Sequence, residues 1–256
     1  MSSALAGRAV LVTRPAGLAA RLAELLHARC CEAILFPAIE ILPPDDEASL
    51  QAIVARLDEF DIAVFISPTA VARAVAAVTA AHSWPAGLKC AAVGSGTAGA
   101  LRDAGIAEVL APRGRGDSDA LAALPQMSDV AGKRVVIFRG QGGRETLRQV
   151  LAARGAKVEY AECYRRAVPR VDVAPLVERW RRGDIAGVCV TSAQGLENLI
   201  ALLGDSAAPL LGATPLFVPH PRVADAARRL GVAQVTVTGP GDDELVEALA
   251  GFFAKV

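Results

Sequence analysis

The chain has 256 residues, 53% of them hydrophobic, which is enough material for one large domain or two modest ones with sizeable cores. Lys plus Arg and Asp plus Glu balance at 27 each, so no overall field draws the protein to nucleic acid or to an anionic membrane, and no apolar run reaches the ~18 residues of a membrane span. The 5 cysteines are odd in number and form no CxxC pair, and "MSSALAGRAV" has no basic region followed by a long apolar stretch; reduced thiols, no signal peptide and a cytoplasmic location are expected.

In chain order, "GRAVLVTRPAG" (7–17) is a short apolar run closed by Arg14-Pro15-Ala16-Gly17. Leu18, Leu22, Leu25 and Leu26 follow with helical spacing, predicting an amphipathic helix that contains His27 as a surface residue. "FPAIEILPPDD" (36–46) is a Pro-containing connection. "FDIAVFISPTAV" (60–71) is a strand ending at Ser67-Pro68-Thr69, followed by a helix and a loop holding His82, Trp84 and Pro85. "CAAVGSGTAGALRDAG" (90–105) turns at Gly94-Ser95-Gly96-Thr97, "EVLAP" is a further strand, and "RGRGDSDALAAL" (113–124) opens a helix with acids suited to capping.

The second half repeats the first. "GKRVVIFRGQGG" (132–143), with Arg139, Gly140 and then Arg144, matches residues 7–17, and Leu147, Val150 and Leu151 renew the helical stripe. "ECYRRAVPRVD" (162–172) is the second Pro-containing connection. "GDIAGVCVTSAQGL" (183–196) ends its strand at Thr191-Ser192-Ala193, and "PLFVPHPRVADAARRLG" (215–231) ends its own at His220-Pro221-Arg222. "TGPGDDELVEALAGF" (238–252) matches residues 113–124. The pairs Arg14/Arg139, Ser67/Ser192, Val93/Val218 and Asp117/Asp242 all stand 125 positions apart, so the chain reads as a duplicated unit of that length.

Short runs such as "AVLVT", "AVFIS", "RVVIF" and "GVCVT" suit strands buried on both faces of a parallel sheet, and their alternation with helices predicts an α/β protein of doubly wound sheets. The two units form two such sheets, or two domains that exchange elements. If both Pro-containing connections are linkers (near 36–41 and 163–169), one domain is 1–37 plus 169–256 and the other 40–165; the simpler alternative splits near Ser128.

In such folds the C-terminal strand ends and helix N-termini face the ligand, and free N–H groups there favour anions. Six turns qualify: Arg14-Pro15, Ser67-Pro68-Thr69, Gly94-Ser95-Gly96-Thr97, Arg139-Gly140 with Arg144, Thr191-Ser192-Ala193, and His220 with Arg222. Each Ser or Thr is also an ordinary helix cap. "GSGTAG" (94–99) has the dinucleotide spacing but is the third strand–helix turn of its repeat and lacks the following acidic residue, which leaves nicotinamide binding a minor alternative. No P-loop, GxSxG elbow, HExxH or Cys/His constellation occurs, so neither a metal nor a cofactor is expected.

Taken in order, "VLVTRPAG", "FISPTAV", "VGSGTA", "GDSDAL", "RGQGGRETL", "AECYRRAVP" and "VTSAQGLENL" resemble uroporphyrinogen-III synthases over nearly the whole chain. The resemblance implies a HemD-like pair of flavodoxin-like α/β domains on a two-segment linker, with the active site in the cleft between them and a monomeric state. It implies a cofactor-free lyase that cyclises hydroxymethylbilane, a linear tetrapyrrole with eight carboxylates, to uroporphyrinogen III with ring D inverted, in the biosynthesis of haem, sirohaem and cobalamin. Hand-over from hydroxymethylbilane synthase follows as a partner expectation. The family's proton donor maps to Tyr164, with Arg165 beside it promoting proton release. Where many members carry a Gly-x-x-Thr turn, this chain has Pro219-His220-Pro221-Arg222, so His220 and Arg222 would compensate by side chain. A cytosolic two-domain binder of small anions is the alternative from a different class.

Overall fold

The computed structural model describes residues 4–114, 116–239 and 241–255. The start of the N-terminal segment, Arg115 of the 113–124 stretch and Pro240 of the 238–252 stretch lie outside them. Strands and helices alternate: β1 (Ala9–Val12), α1 (Ala20–His27), β2 (Glu32–Leu35), β3 (Glu40–Leu42), α2 (Glu47–Val54), β4 (Ile62–Phe65), α3 (Pro68–Ala81), β5 (Lys89–Ala92), α4 (Ser95–Asp103), β6 (Val109–Leu110) and α5 (Ser118–Ala122). Then come β7 (Arg134–Gly140), α6 (Thr146–Ala153), β8 (Lys157–Ala167), α7 (Ala174–Arg181), β9 (Gly187–Cys189), α8 (Ala193–Leu203), α9 (Ala207–Ala213), β10 (Leu216–Val218), α10 (Pro221–Arg229), β11 (Val235–Val237) and α11 (Asp242–Phe253).

The chain divides into two compact units, at Glu40/Ile41 and at Arg166/Ala167. The first joins the N-terminal segment to the C-terminal part and holds a 5-stranded sheet in the order β11-β10-β9-β1-β2, parallel throughout. The second, residues 41–166, holds a sheet in the order β3-β8-β7-β4-β5-β6, whose pairs from β8 to β6 are parallel. With the edge strand β3 left out and the remaining strands of each repeat counted in turn, both sheets take the doubly wound order 2-1-3-4-5. The first unit takes β1 and β2 from the first repeat and β9 to β11 from the second; the second unit takes β7 and β8 from the second repeat and β4 to β6 from the first. The repeats have traded their first two strands.

Side-chain alternation explains why these runs are apolar throughout. In β4, Ile62 and Val64 enter the core on one face and Ala63 and Phe65 the core on the other. In β1, Val10 and Val12 pack on one side and Leu11 on the other. Helices cover both faces, so a polar residue at any of these positions would be buried without a partner. The helical stripe is shorter at its start than the spacing predicts. Leu18 lies in a separate 3₁₀ turn (Ala16–Leu18) and is 44% exposed, because α1 begins only at Ala20. Leu22 and Leu26, and Leu147 and Leu151 in α6, are the buried positions, with Leu25 and Val150 partly covered.

Candidate functional site

Because the strands run parallel, three of the six turns share the C-terminal edge of each sheet. In both sheets the chain reverses its winding direction beside the repeat's first strand: between β1 and β9 in one unit, between β7 and β4 in the other. That switch point is where doubly wound sheets open to ligands.

In the first unit Ser192 caps α8, its Oγ accepting from Gly195 N at 3.0 Å. Thr13, just past β1, is buried and donates through Oγ1 to the Cys189 carbonyl at 2.9 Å. Arg14 is held by Asp242 at 2.5 Å, with side chains 14% and 12% exposed. Asp242 stands in the first turn of α11, where a carboxylate also meets the positive end of the helix. Pro15 precedes the 3₁₀ turn. His220 caps α10: its Nδ1 accepts from Arg222 N at 3.1 Å, and Pro221 occupies the first helical position. The ring therefore does the work of a Ser or Asp cap, a role that residue type alone does not suggest.

In the second unit Ser67 caps α3, accepting from Ala70 N at 3.1 Å with Pro68 at the helix start and Thr69 in the same turn. Arg139 is 5% exposed; its Nη1 reaches Glu145 at 3.0 Å, its Nε the Gly140 carbonyl at 3.2 Å, and its guanidinium lies 4.4 Å over the Tyr160 ring. Tyr160 in turn donates to Glu145 at 2.9 Å, the main cause of that carboxyl's depressed pKa, with Arg139 adding to it. Arg144 is exposed on the same loop. At the turn after β5, Thr97 is buried while Ser95 and Gly96 remain accessible. A Cβ on Gly94 would meet Gly116 Cα at 3.2 Å, so this glycine admits the neighbouring loop's backbone, the close approach that a dinucleotide's phosphates would need.

Tyr164 lies at the switch point of this second unit, 2% exposed. Its ring covers Gly140 so closely that a Cβ there would fall 2.6 Å from Tyr164 Cζ. The hydroxyl is 3.1 Å from Ser67 Oγ and accepts from Arg166 Nη2 at 3.2 Å. The neighbouring cation differs from the sequence expectation. Strand alternation sends Arg165 away from Tyr164, to Asp45 at 2.9 Å, and brings Arg166 to the same side, where its guanidinium also stands 5.7 Å from the ring centroid. That i, i+2 relation was readable in "CYRRA", and it is the signal that finds Arg166.

A concavity of about 540 Å³ in the second unit, lined by Phe60, Ile62, Leu88, Lys89 and Lys133, lies at the opposite, N-terminal ends of the strands. Helix N-termini do not converge there, so the switch point remains the better ligand end on topological grounds. Among the described residues no group of three or more His, Cys, Asp or Glu could hold a metal ion, and no helix is long and apolar enough to cross a membrane.

A family model described as uroporphyrinogen-III synthase HemD matches residues 20–247. The chain is 35% identical over 243 residues to the uroporphyrinogen-III synthases of Salmonella typhimurium and Escherichia coli, covering 94% of this chain and 99% of each relative. Its fold is similar to that of a mutant uroporphyrinogen III synthase from the extremely thermophilic bacterium Thermus thermophilus (TM-score 0.64, 19% identity, 97% of this chain and 100% of the other). It is also similar to the synthetase of Helicobacter pylori (TM-score 0.59, 12% identity, 96% and 99%).

Proposed function

The chain belongs to the uroporphyrinogen-III synthase family, and on that premise we propose how its own residues carry the reaction. The activity is that of a cyclising lyase of tetrapyrrole biosynthesis: hydroxymethylbilane loses water and closes to uroporphyrinogen III with ring D inverted. Loss of the terminal hydroxyl needs one proton and leaves a resonance-stabilised azafulvenium cation. That cation closes unaided at the nearer, wrong carbon, so the protein's larger task is to hold the chain for attack through the substituted one.

The turns at 14–15, 67–69, 94–97, 139–144, 191–193 and 220–222 supply amide N–H groups and flanking cations for the substrate's carboxylates. Among the cations, exposed Arg144 and Arg222 stand free to reach a ligand, whereas Arg14 and Arg139 are engaged by Asp242 and Glu145 and set the shape of their turns. Tyr164 is the proton source. The observation that carries this is the cluster of Tyr164 Oη, Ser67 Oγ and the Arg166 guanidinium at one switch point. At the repeat-equivalent position, 125 residues earlier, stands Ile39, which has no proton to give.

A bilane that closes spontaneously has to reach this protein soon after it is made, which favours hand-over from hydroxymethylbilane synthase in the same compartment. The cytoplasm fits the four buried free thiols, Cys31, Cys90, Cys163 and Cys189, whose pKa values burial pushes up to between about 11 and about 12. The test is to supply hydroxymethylbilane and resolve the product isomers. Type III is expected from wild type, and Tyr164→Phe should lower kcat by at least ~10-fold without loss of fold. Type I alone from the wild type refutes the assignment.

A further inference from the structure

We propose that Ser67, not Tyr164, is the group that touches the leaving hydroxyl, and that it passes on the proton of Tyr164 with Arg166 as counter-ion. The proposal rests on the synthase reading above. Tyr164 is 2% exposed, so a proton leaving it directly for a substrate would have to cross packed atoms. Ser67 is partly exposed and 3.1 Å from the phenol oxygen.

The hydrogen-bond inventory leaves two directions for the Ser67–Tyr164 bond, and acidity chooses between them. Ser67 Oγ already accepts from Ala70 N at 3.1 Å, and Tyr164 Oη already accepts from Arg166 Nη2 at 3.2 Å. Arg166 has no acceptor capacity, so that second bond can run only one way. Each hydroxyl is left with one proton. A phenol is a far stronger acid than an alcohol, so the bond between them runs from Tyr164 to Ser67. Ser67 Oγ then accepts twice, from an amide and a phenol, and its own O–H points outward, free to donate.

The step balances without any co-reactant. The C–O bond of the hydroxymethyl group breaks with its electron pair going to oxygen. That oxygen takes the Ser67 proton and leaves as water, while Ser67 Oγ takes the phenol proton. The pyrrole nitrogen's lone pair stabilises the carbon left behind. Tyr164 is left as phenolate beside the Arg166 guanidinium, a preplaced positive charge where negative charge develops. The pyrrole carbon that later forms the ring-closing bond must lose its proton to regain aromaticity, and that proton restores the phenol. The first unit shows that the fold alone does not require the set. Ser192 makes the same cap, and Gly195 packs against Ser192 and Ile39, but the residue at the place of Tyr164 is Ile39, which has no hydroxyl.

The test compares Ser67→Asn, Ser67→Thr, Tyr164→Phe and the double variant Ser67→Asn/Tyr164→Phe, assayed on hydroxymethylbilane. Asn caps helices as well as Ser does, so α3 stays capped, but an amide cannot relay a proton. Ser67→Asn is expected to lose ~10²-fold in kcat with little change in KM. Tyr164→Phe should lose as much, and the double variant no more than either alone, as residues acting as a unit do. Ser67→Thr, which keeps the hydroxyl, should retain most of the wild-type rate. An unimpaired Ser67→Asn beside an active wild type overturns the relay alone, as does a double variant that loses the product of the two single effects. A wild type that forms no type III isomer overturns the synthase reading, and the relay with it.

Discussion

The two units are the same design, and they differ at the switch point where the chemistry is proposed. Each sheet, β3 aside, has the 2-1-3-4-5 order, a Ser cap at the switch point and a mostly buried arginine at the end of the repeat's first strand. In the second unit, glycine at position 140 makes room for the ring of Tyr164, and Ser67 and Arg166 surround its hydroxyl. In the first, the equivalents are Pro15 and Ile39. Duplication supplied the scaffold twice, and only one copy carries a tyrosine hydroxyl at its switch point, the group proposed above as the proton donor.

The buried arginines offer the largest break in this symmetry. Arg14 and Asp242 are both mostly buried, whereas Arg139 is buried against Glu145, which is 48% exposed. Asp242→Ala strands a buried guanidinium and is expected to cost about 3 kcal/mol in denaturant unfolding. Glu145→Ala opens Arg139 toward water and should cost under ~1 kcal/mol, since a half-exposed partner is largely screened. Equal losses would mean that the two arginines play the same role after all. Next in size is Gly140→Ala, whose Cβ would fall 2.6 Å from Tyr164 Cζ. The ring has to move, at about 1–3 kcal/mol, and catalysis should fall with it as the hydroxyl leaves Ser67. Pro15, its counterpart, already carries a Cβ, so the first unit leaves no such room for a ring.

Much of this symmetry was legible in the sequence, for a physical reason. Strands covered on both faces must be apolar without interruption, so "AVLV", "IAVF" and "GVC" stand out, and the 125-residue offset shows the duplication, though by itself it left the trade of strands open beside a split near Ser128. Less legible was whatever depends on distance along the chain. Asp242 lies far from Arg14 in sequence, and in its own helix it reads as a first-turn acid; that it neutralises a turn arginine only folding reveals. His220 as a cap was hidden because histidine is an uncommon one. Arg165 drew attention by adjacency to Tyr164, yet β8 is a strand, and period two hands the contact to Arg166.

A smaller effect comes from the ends of the equivalent helices α1 and α6. Each closes with the same pair of amide bonds, Cys30 N to His27 O and Cys31 N to Leu26 O in one, Gly155 N to Ala152 O and Ala156 N to Leu151 O in the other. The residue between needs positive φ: Gly155 has +87°, and Cys30 takes 56°. Only glycine adopts that region without a Cβ penalty. Cys30→Gly should therefore stabilise the protein by about 0.5–1 kcal/mol, net of glycine's greater freedom when unfolded. No gain in the unfolding midpoint would show that the first copy has relaxed around its cysteine.

The smallest effect concerns how α3 and α8 stop. In the first unit Gly204 ends α8 with φ 53°; in the second His82 ends α3 with extended backbone, and its ring does the tying. Nδ1 lies 2.8 Å from the Ser83 carbonyl and Nε2 2.8 Å from the Val54 carbonyl at the end of α2. Two carbonyl oxygens ask for two N–H donors, which only the imidazolium has. These bonds, Ser83 first and Val54 second, raise the pKa above 6.5. A folded pKa above the unfolded one means that the added stability is present in full below 6.5 and fades as pH rises through the folded value. Wild type should therefore have a slightly higher unfolding temperature at pH 6 than at pH 8 relative to His82→Ala, and the ring's NMR titration midpoint should lie above 6.5. A midpoint at or below that value would mean that the ring meets its two carbonyls as a neutral imidazole, and the pH-linked tie between α3 and α2 would be lost.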